Sequence, residues 1–94
     1  MALNRYVIER DIPAVGSMDG PQMATAAAKS NEALAKLAPD CQWVESFVAA
    51  DKTFCVYMAK DEETVRRHAE LSGFPATKIT PIRRTIDPTT ETEG

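Results

Sequence analysis

Two runs of β-forming residues, separated by only two residues, occupy the middle of the chain. The runs cover residues 41–49 and 52–59 and are rich in valine and aromatic side chains. Ala50 and Asp51 lie between them, and this spacing is typical of a β-hairpin. The hairpin sets the centre of the fold, so the segments on either side of it decide the topology.

The segments before the hairpin predict a strand followed by a helix. Residues 3–10 have a β-branched and aromatic centre and predict the first strand. Residues 20–37 are rich in alanine, lysine, glutamate and leucine and predict a helix, with Ser17 or Asp19 as its N-cap. Its buried stripe is predicted to contain Met23, Ala27, Ser30, Leu34 and Leu37.

The segments after the hairpin predict a helix followed by a strand. Acidic residues open a helix over residues 61–72, and Gly73 is suited to end it. Residues 78–86 predict the last strand. Pro81 lacks a backbone N–H, so this strand is expected at an edge of the sheet.

The predicted order β-α-β-β-α-β is that of the ferredoxin-like α+β fold. Such a domain places both helices on one face of a four-stranded antiparallel sheet. We assign it to residues 1–87, and we expect residues 88–94, rich in threonine and glutamate, to form a flexible tail. The other face of the sheet needs a cover, which a second copy of the chain supplies most simply.

The hairpin register predicts which side chains share a face. If Ala49 pairs with Lys52, the larger side chains fall together on the open face, away from the helices. The smaller set then lies under the helices. The open-face set, and hence the predicted homodimer interface, is Trp43, Phe47, Phe54, Val56 and Met58, with Glu45 among them; the helix-side set is Val44, Ser46, Val48, Thr53, Cys55 and Tyr57.

Charge and cysteine content exclude several classes of protein. The net charge of −3 argues against a nucleic-acid partner, because basic side chains supply most of the affinity for phosphate. No apolar run approaches the ~20 residues that cross a bilayer. The amino terminus shows no apolar core of a secretory signal, so Cys41 and Cys55 are expected as free thiols in a reducing cytoplasm.

His68 is the single histidine and falls on the inward face of the second predicted helix, with Val65 and Ala69. Cys55 and Ser46 are predicted to lie opposite each other on the strands beneath it. A Cys–His pair with a neighbouring hydroxyl could activate a thiolate or supply metal ligands. The simpler alternative is a hydrogen-bonded buried histidine beside an inert core cysteine.

Glu45 is unusual because an ionised carboxylate between Trp43 and Phe47 is costly unless it is paired, bound to a metal or near an edge. One interpretation is an ion pair with a lysine or arginine of a second subunit. The other is a metal ligand.

A pattern of residues spread over nearly the whole chain is shared with a known family. It runs Gln42-Trp43-Val44-Glu45-Ser46-Phe47-Val48, then Asp51-Lys52-x-Phe54-Cys55-x-Tyr57, Glu63-x-x-Arg66-x-His68-Ala69, Gly73-Phe74-Pro75-Ala76 and Ile86-Asp87-Pro88-Thr89. In combination it resembles a family of small bacterial proteins of unknown function that are often described as nickel-binding. The resemblance implies a ferredoxin-like fold, a homodimer and an affinity for nickel or a similar divalent ion.

One departure from that family concerns the metal. Many relatives carry histidine where this chain has Glu45. A carboxylate can bind a metal, but imidazole suits nickel better, so the preference for nickel is expected to be weaker here.

Three hypotheses for function follow. The first is a dimeric protein that binds divalent nickel through His68, Glu45 and Asp51, with no organic cofactor. The second is a cofactor-independent enzyme or a small-ligand-binding module, with Cys55, His68 and Ser46 in a pocket between sheet and helices. The third is a structural or regulatory partner domain.

Overall fold

The computed structural model describes residues 2–93 and confirms the predicted fold. Its four strands form one antiparallel sheet in the order β2-β3-β1-β4, and its two helices pack on one side of that sheet, which is the ferredoxin-like α+β arrangement. The strands and helices are β1 (Asn4–Asp11), α1 (Gly20–Leu37), β2 (Cys41–Val48), β3 (Lys52–Ala59), α2 (Glu62–Ser72) and β4 (Lys78–Ile82).

The helix ends are set by local hydrogen bonds. Of the two candidates for the N-cap of α1, the structure uses Asp19. Its side chain accepts a hydrogen bond from the Gln22 backbone N–H at 2.9 Å, and the Gln22 side chain accepts one from the Asp19 N–H at 2.9 Å. The Asp61 side chain caps α2 by accepting a hydrogen bond from the Thr64 backbone N–H at 2.8 Å. Gly73 ends α2 with φ of 80°, a backbone conformation that suits glycine.

The hairpin register is confirmed near its tip and wrong at its far end. Phe47 opposes Phe54 as predicted, but a β-bulge lies between Trp43 and Glu45. At the bulge two residues of β2 lie opposite one residue of β3. The side chains of β2 beyond the bulge therefore point to the opposite faces from those predicted. Trp43 therefore opposes Tyr57 and packs against the core on the helix side, so its prediction as an open-face residue is wrong. Val44, predicted to lie under the helices, is exposed.

The last strand is confirmed at an edge of the sheet but is shorter than predicted. Among residues 2–93 it pairs only with β1, and its final pair joins Ile82 to Arg5, one residue from the start of β1. β1 begins only one residue before that pair, so among the described residues it offers almost no further partner to residues 83–86.

The carboxy-terminal segment contains a 3-10 helix over Pro88–Glu93. The flexible tail expected at residues 88–94 and the domain limit at residue 87 stay predictions. Met1 and Gly94, the outer ends of the two predicted ranges, lie outside the described residues.

The core fills the space between the sheet and the two helices. Ile8 of β1 is fully buried there because every second residue of a strand faces the helices. Val65 is fully buried on the side of α2 that packs against the core. The hydrophobic core contains Tyr6, Ile8, Cys41, Cys55, Tyr57, Ala59 and Val65, with Leu34, Leu37, Trp43, Ala76 and Ile79 packed against it. No helix in residues 2–93 has the length and apolar character needed to cross a membrane.

Candidate functional site

The open face is the side of the sheet opposite the two helices, and its centre is apolar. Phe47 of β2 and Phe54 of β3 lie directly across from each other, and 56% of the surface of Phe47 is exposed. Val56 and Met58 continue this surface along β3 and are half-buried. The structure thus places four of the five predicted interface residues on the open face. An apolar surface of this kind on a small chain is characteristic of an interaction site.

Charged side chains border the apolar centre of the open face. Lys52 Nζ lies 3.3 Å from Glu9 Oε1 and 3.6 Å from Asp11 Oδ1, and 5.8 Å from the centre of the Phe54 ring. The hydrogen bond to Glu9, followed by the charges of Asp11 and Glu9, raises the pKa of Lys52. Glu45 lies on the edge strand beside this surface, is exposed, and makes no salt bridge within residues 2–93.

His68 belongs to a buried polar cluster on the other side of the sheet. The side chain of His68 is fully buried, and its Nε2 lies 3.2 Å from Ser30 Oγ. Ser30 Oγ lies 3.3 Å from the hydroxyl of Tyr57, whose ring centre is 4.8 Å from that of His68. Residues of α1, α2 and β3 thus meet in one hydrogen-bonded chain.

Arg10 of β1 completes the cluster. Its guanidinium is centred 5.9 Å from the Tyr57 ring and 5.9 Å from the Phe74 ring. Arg10 Nη1 donates a hydrogen bond to the Pro75 carbonyl at 2.8 Å, and only 2% of the residue surface is exposed. We name Arg10, Ser30, Tyr57 and His68 the buried cluster.

The environment of the buried cluster keeps its titratable groups uncharged, Arg10 aside. Burial, with a contribution from the Arg10 charge, lowers the pKa of His68 to about 4. Burial also raises the pKa of Tyr57. At neutral pH the cluster therefore holds a neutral imidazole, a protonated phenol and one cationic guanidinium.

Sequence reasoning missed the role of Arg10 and Tyr57 in this cluster. The signal that could have found Arg10 is the alternation of β1, because Arg10 is in phase with the buried Tyr6 and Ile8. An arginine at an inward position of a strand is rare enough to mark a site. Ser30 was correctly expected in the buried stripe of α1.

Cys55 and Ser46 lie opposite each other, as the hairpin register predicts. Their side chains hydrogen-bond to Thr53 and Trp43 rather than to His68. Cys55 Sγ is 3.5 Å from Thr53 Oγ1, and Ser46 Oγ accepts a hydrogen bond from Trp43 Nε1 at 2.9 Å. No hydrogen bond joins Cys55 to His68 in the part of the chain that the structure describes. Cys41 is also a free buried thiol, and burial raises its pKa to about 11.

The three residues predicted as metal ligands lie in three different places. His68 is buried under α2, Glu45 is on the open face, and Asp51 is at the hairpin tip, where its Oδ1 accepts a hydrogen bond from Ala14 N at 2.7 Å. Among residues 2–93 there is no group of three or more histidine, cysteine, aspartate or glutamate side chains placed to hold a metal ion. The described donors of a single chain therefore do not fit a nickel centre.

Comparisons with known proteins agree with the fold. The family model for SCO4226-like proteins, described as "Nickel responsive protein SCO4226-like", matches residues 6–82. The crystal structure of SCO4226 from Streptomyces coelicolor A3(2) superposes with a TM-score of 0.73 at 13% identity, covering 87% of this chain and 99% of that one. At this identity the likeness shows the fold alone. No curated protein matches the chain.

Proposed function

The chain belongs to the SCO4226-like family of nickel-responsive proteins, and from that premise we propose that it is a homodimer that binds a divalent cation beside the open face of its sheet. The observation that carries this proposal is the position of Glu45. It is an exposed carboxylate without an ion-pair partner among the described residues, and it borders an apolar surface that no helix covers.

The dimer is proposed through the open face because a second copy is the simplest cover for it. Its centre, formed by Phe47, Phe54, Val56 and Met58, is apolar, and a two-fold interface needs a self-complementary surface. A few well-packed residues near the centre of an interface, often aromatic, carry most of the binding free energy. The acidic and basic side chains at the border, Glu45 and Lys52, supply opposite charges for the polar rim.

The cation is proposed at Glu45 because the other two predicted ligands are already engaged inside the protomer. His68 is fully buried and hydrogen-bonded to Ser30, and the Asp51 carboxylate accepts a hydrogen bond from the Ala14 N–H. Further donors must then come from the second copy or from water. Carboxylate and water oxygens discriminate less strongly for nickel than imidazole does, so manganese and cobalt are expected to compete.

A reactive Cys55–His68 pair is not favoured by any contact among the described residues, because Thr53 and Ser30 are their hydrogen-bond neighbours. We therefore propose the cation-binding dimer in preference to the thiol enzyme.

The test is isothermal calorimetry with nickel chloride on Glu45→Gln and the wild type. We expect the substitution to weaken nickel binding by at least about tenfold, because it removes an anionic ligand while keeping its size. Glu70→Gln is the matched control, since Glu70 is an exposed carboxylate on α2; it should bind nickel as the wild type does.

Equal nickel affinity in Glu45→Gln and the wild type would reject Glu45 as a ligand. If Glu45→Gln instead weakens dimerisation and leaves nickel binding unchanged, Glu45 is an interface ion-pair residue and the metal lies elsewhere.

A further inference from the structure

The segment that follows β4 contacts no other strand among the described residues. Residues 83–87 contain no turn or helix and pair with no strand. Every hydrogen bond of residues 83–92 in the described part of the chain is internal to that segment. Ile86 lies in it with 69% of its surface exposed, the largest fraction of any large apolar side chain in residues 2–93. We name residues 83–92 the arm.

The outer part of the arm has a local structure of its own. Asp87 Oδ1 accepts hydrogen bonds from Thr89 N at 2.9 Å and from Thr89 Oγ1 at 2.5 Å, and Asp87 N donates one to Thr90 Oγ1 at 2.9 Å. These bonds form the first turn of the 3-10 helix directly after Ile86. Because this turn is already folded, less conformational entropy is lost when the arm docks on a partner.

A shallow depression of about 520 Å³ lies beside the end of α2. Ala69 and the segment Phe74–Ala76 supply apolar atoms to its lining, and Arg66 and Glu70 supply charged groups. Since β4 begins two residues after Ala76, the depression lies near the start of β4. It has room for an aliphatic side chain.

The pattern of the open face indicates how two copies stack. Its apolar residues lie on β2 and β3, whereas β1 places Arg5 opposite Met58 and Glu9 opposite Phe54. A two-fold axis across the strands puts each strand over its own copy, running in the opposite direction. Apolar strands then cover apolar strands, and Arg5 of one chain lies over Glu9 of the other. Lys52 contacts Glu9 through Oε1, which leaves Oε2 for a second donor.

This stacking brings the arm of one chain close to the depression of the other. The end of β4 at Ile82 lies over the start of β4, at Lys78, in the second copy. Stacked sheets are about 10 Å apart, and four extended residues span about 13 Å. The arm is therefore long enough to carry Ile86 past the edge of β4 to the neighbourhood of Ala76.

We propose that the arm of each chain crosses to the second copy and inserts Ile86 into the depression beside Phe74–Ala76. The inference rests on the open-face dimer of the proposed function and adds two symmetric contacts outside the sheet faces. It pairs the most exposed apolar side chain of the described residues with an apolar depression that two-fold symmetry places within its reach.

Disulfide trapping between chains tests the contact directly. Full-length Ile86→Cys and Pro75→Cys chains are mixed with oxidised glutathione, and the linked pairs are identified by mass spectrometry. Pro75 is an exposed lining residue, and the native thiols Cys41 and Cys55 are buried. We expect this pair to link at least about tenfold faster than Thr85→Cys with Pro75→Cys, because adjacent side chains of an extended segment point to opposite sides.

The dissociation constant of the dimer gives a second readout. Ile86→Lys should raise it at least about tenfold, because the apolar area buried in the depression is lost. Thr85→Lys is the matched control, since Thr85 is the exposed neighbour of Ile86, and it should leave the constant unchanged. Sedimentation velocity over a concentration series measures both variants.

Equal linking rates for residues 85 and 86 would overturn the arm contact and leave the open-face dimer standing. So would a dissociation constant that Ile86→Lys does not change. A wild-type chain that sediments as a single chain at every concentration would instead reject the dimer of the proposed function, and the arm contact with it.

Discussion

Acidification from pH 6.5 to about 4 is expected to lower the free energy of unfolding by about 3 kcal/mol through His68 alone. The pKa of His68 is depressed in the fold, so the unfolded chain binds the proton first as the pH falls. The stabilisation is complete above the unfolded pKa of 6.5 and is lost as the pH approaches the folded pKa of about 4. Urea unfolding at a series of pH values, at one protein concentration, measures this loss.

Two acidic groups titrate below this window and do not mask it. Hydrogen bonds from Thr64 and Thr89 lower the pKa of Asp61 and Asp87 respectively below 3.8. Their stabilising contributions are present above that pH and are lost only as the pH falls through the folded pKa. Between 6.5 and 4 the loss should come mainly from His68.

His68→Gln provides the control for the acid loss. Glutamine keeps an amide that can bond Ser30 Oγ but does not titrate. The variant should be less stable than the wild type at neutral pH, with a much flatter dependence of stability on pH between 6.5 and 4. An unchanged pH dependence in His68→Gln would show that another group is responsible.

Replacing Phe47 by lysine is expected to dissociate the proposed dimer, raising its dissociation constant at least about a hundredfold. A lysine at the centre of the apolar open face would bury an unpaired charge against a second copy and remove an aromatic anchor. In the protomer Phe47 is 56% exposed, so the fold itself should tolerate the change. Sedimentation velocity over a concentration series measures the effect.

Leu71→Lys is the matched control for this experiment. Leu71 is an apolar residue of α2 with 38% of its surface exposed, and α2 packs on the side of the sheet opposite the open face. This variant should sediment as the wild type does. If both variants dissociate the dimer equally, or if neither variant dissociates it, the open face is not the interface.

Local patterns predict the element order well because they depend on near neighbours. The limits of α1, the edge position of β4 and the pairing of Phe47 with Phe54 all follow from propensity, proline chemistry and turn length. The bulge at Val44 does not follow, since Val44 is a β-branched residue like its neighbours and leaves no mark in the sequence. One unmarked residue was enough to move Trp43 to the other face.

The buried cluster is harder to predict because it is assembled from distant elements. Ser30 and His68 were each expected to face inward, from helical periodicity. Their contact depends on how α1 and α2 cross the sheet, which periodicity does not specify. Arg10 was missed because charged residues are expected outside, and its burial depends on carbonyls supplied by the Phe74–Pro75 turn.

Native mass spectrometry of the wild-type chain with nickel added tests the central claim most directly, because one spectrum reports both the number of chains and the metal bound. The proposal predicts that nickel appears on the two-chain species and is lost from it in Glu45→Gln. Nickel bound to the single chain with no two-chain species, or retained in full by Glu45→Gln, would contradict it.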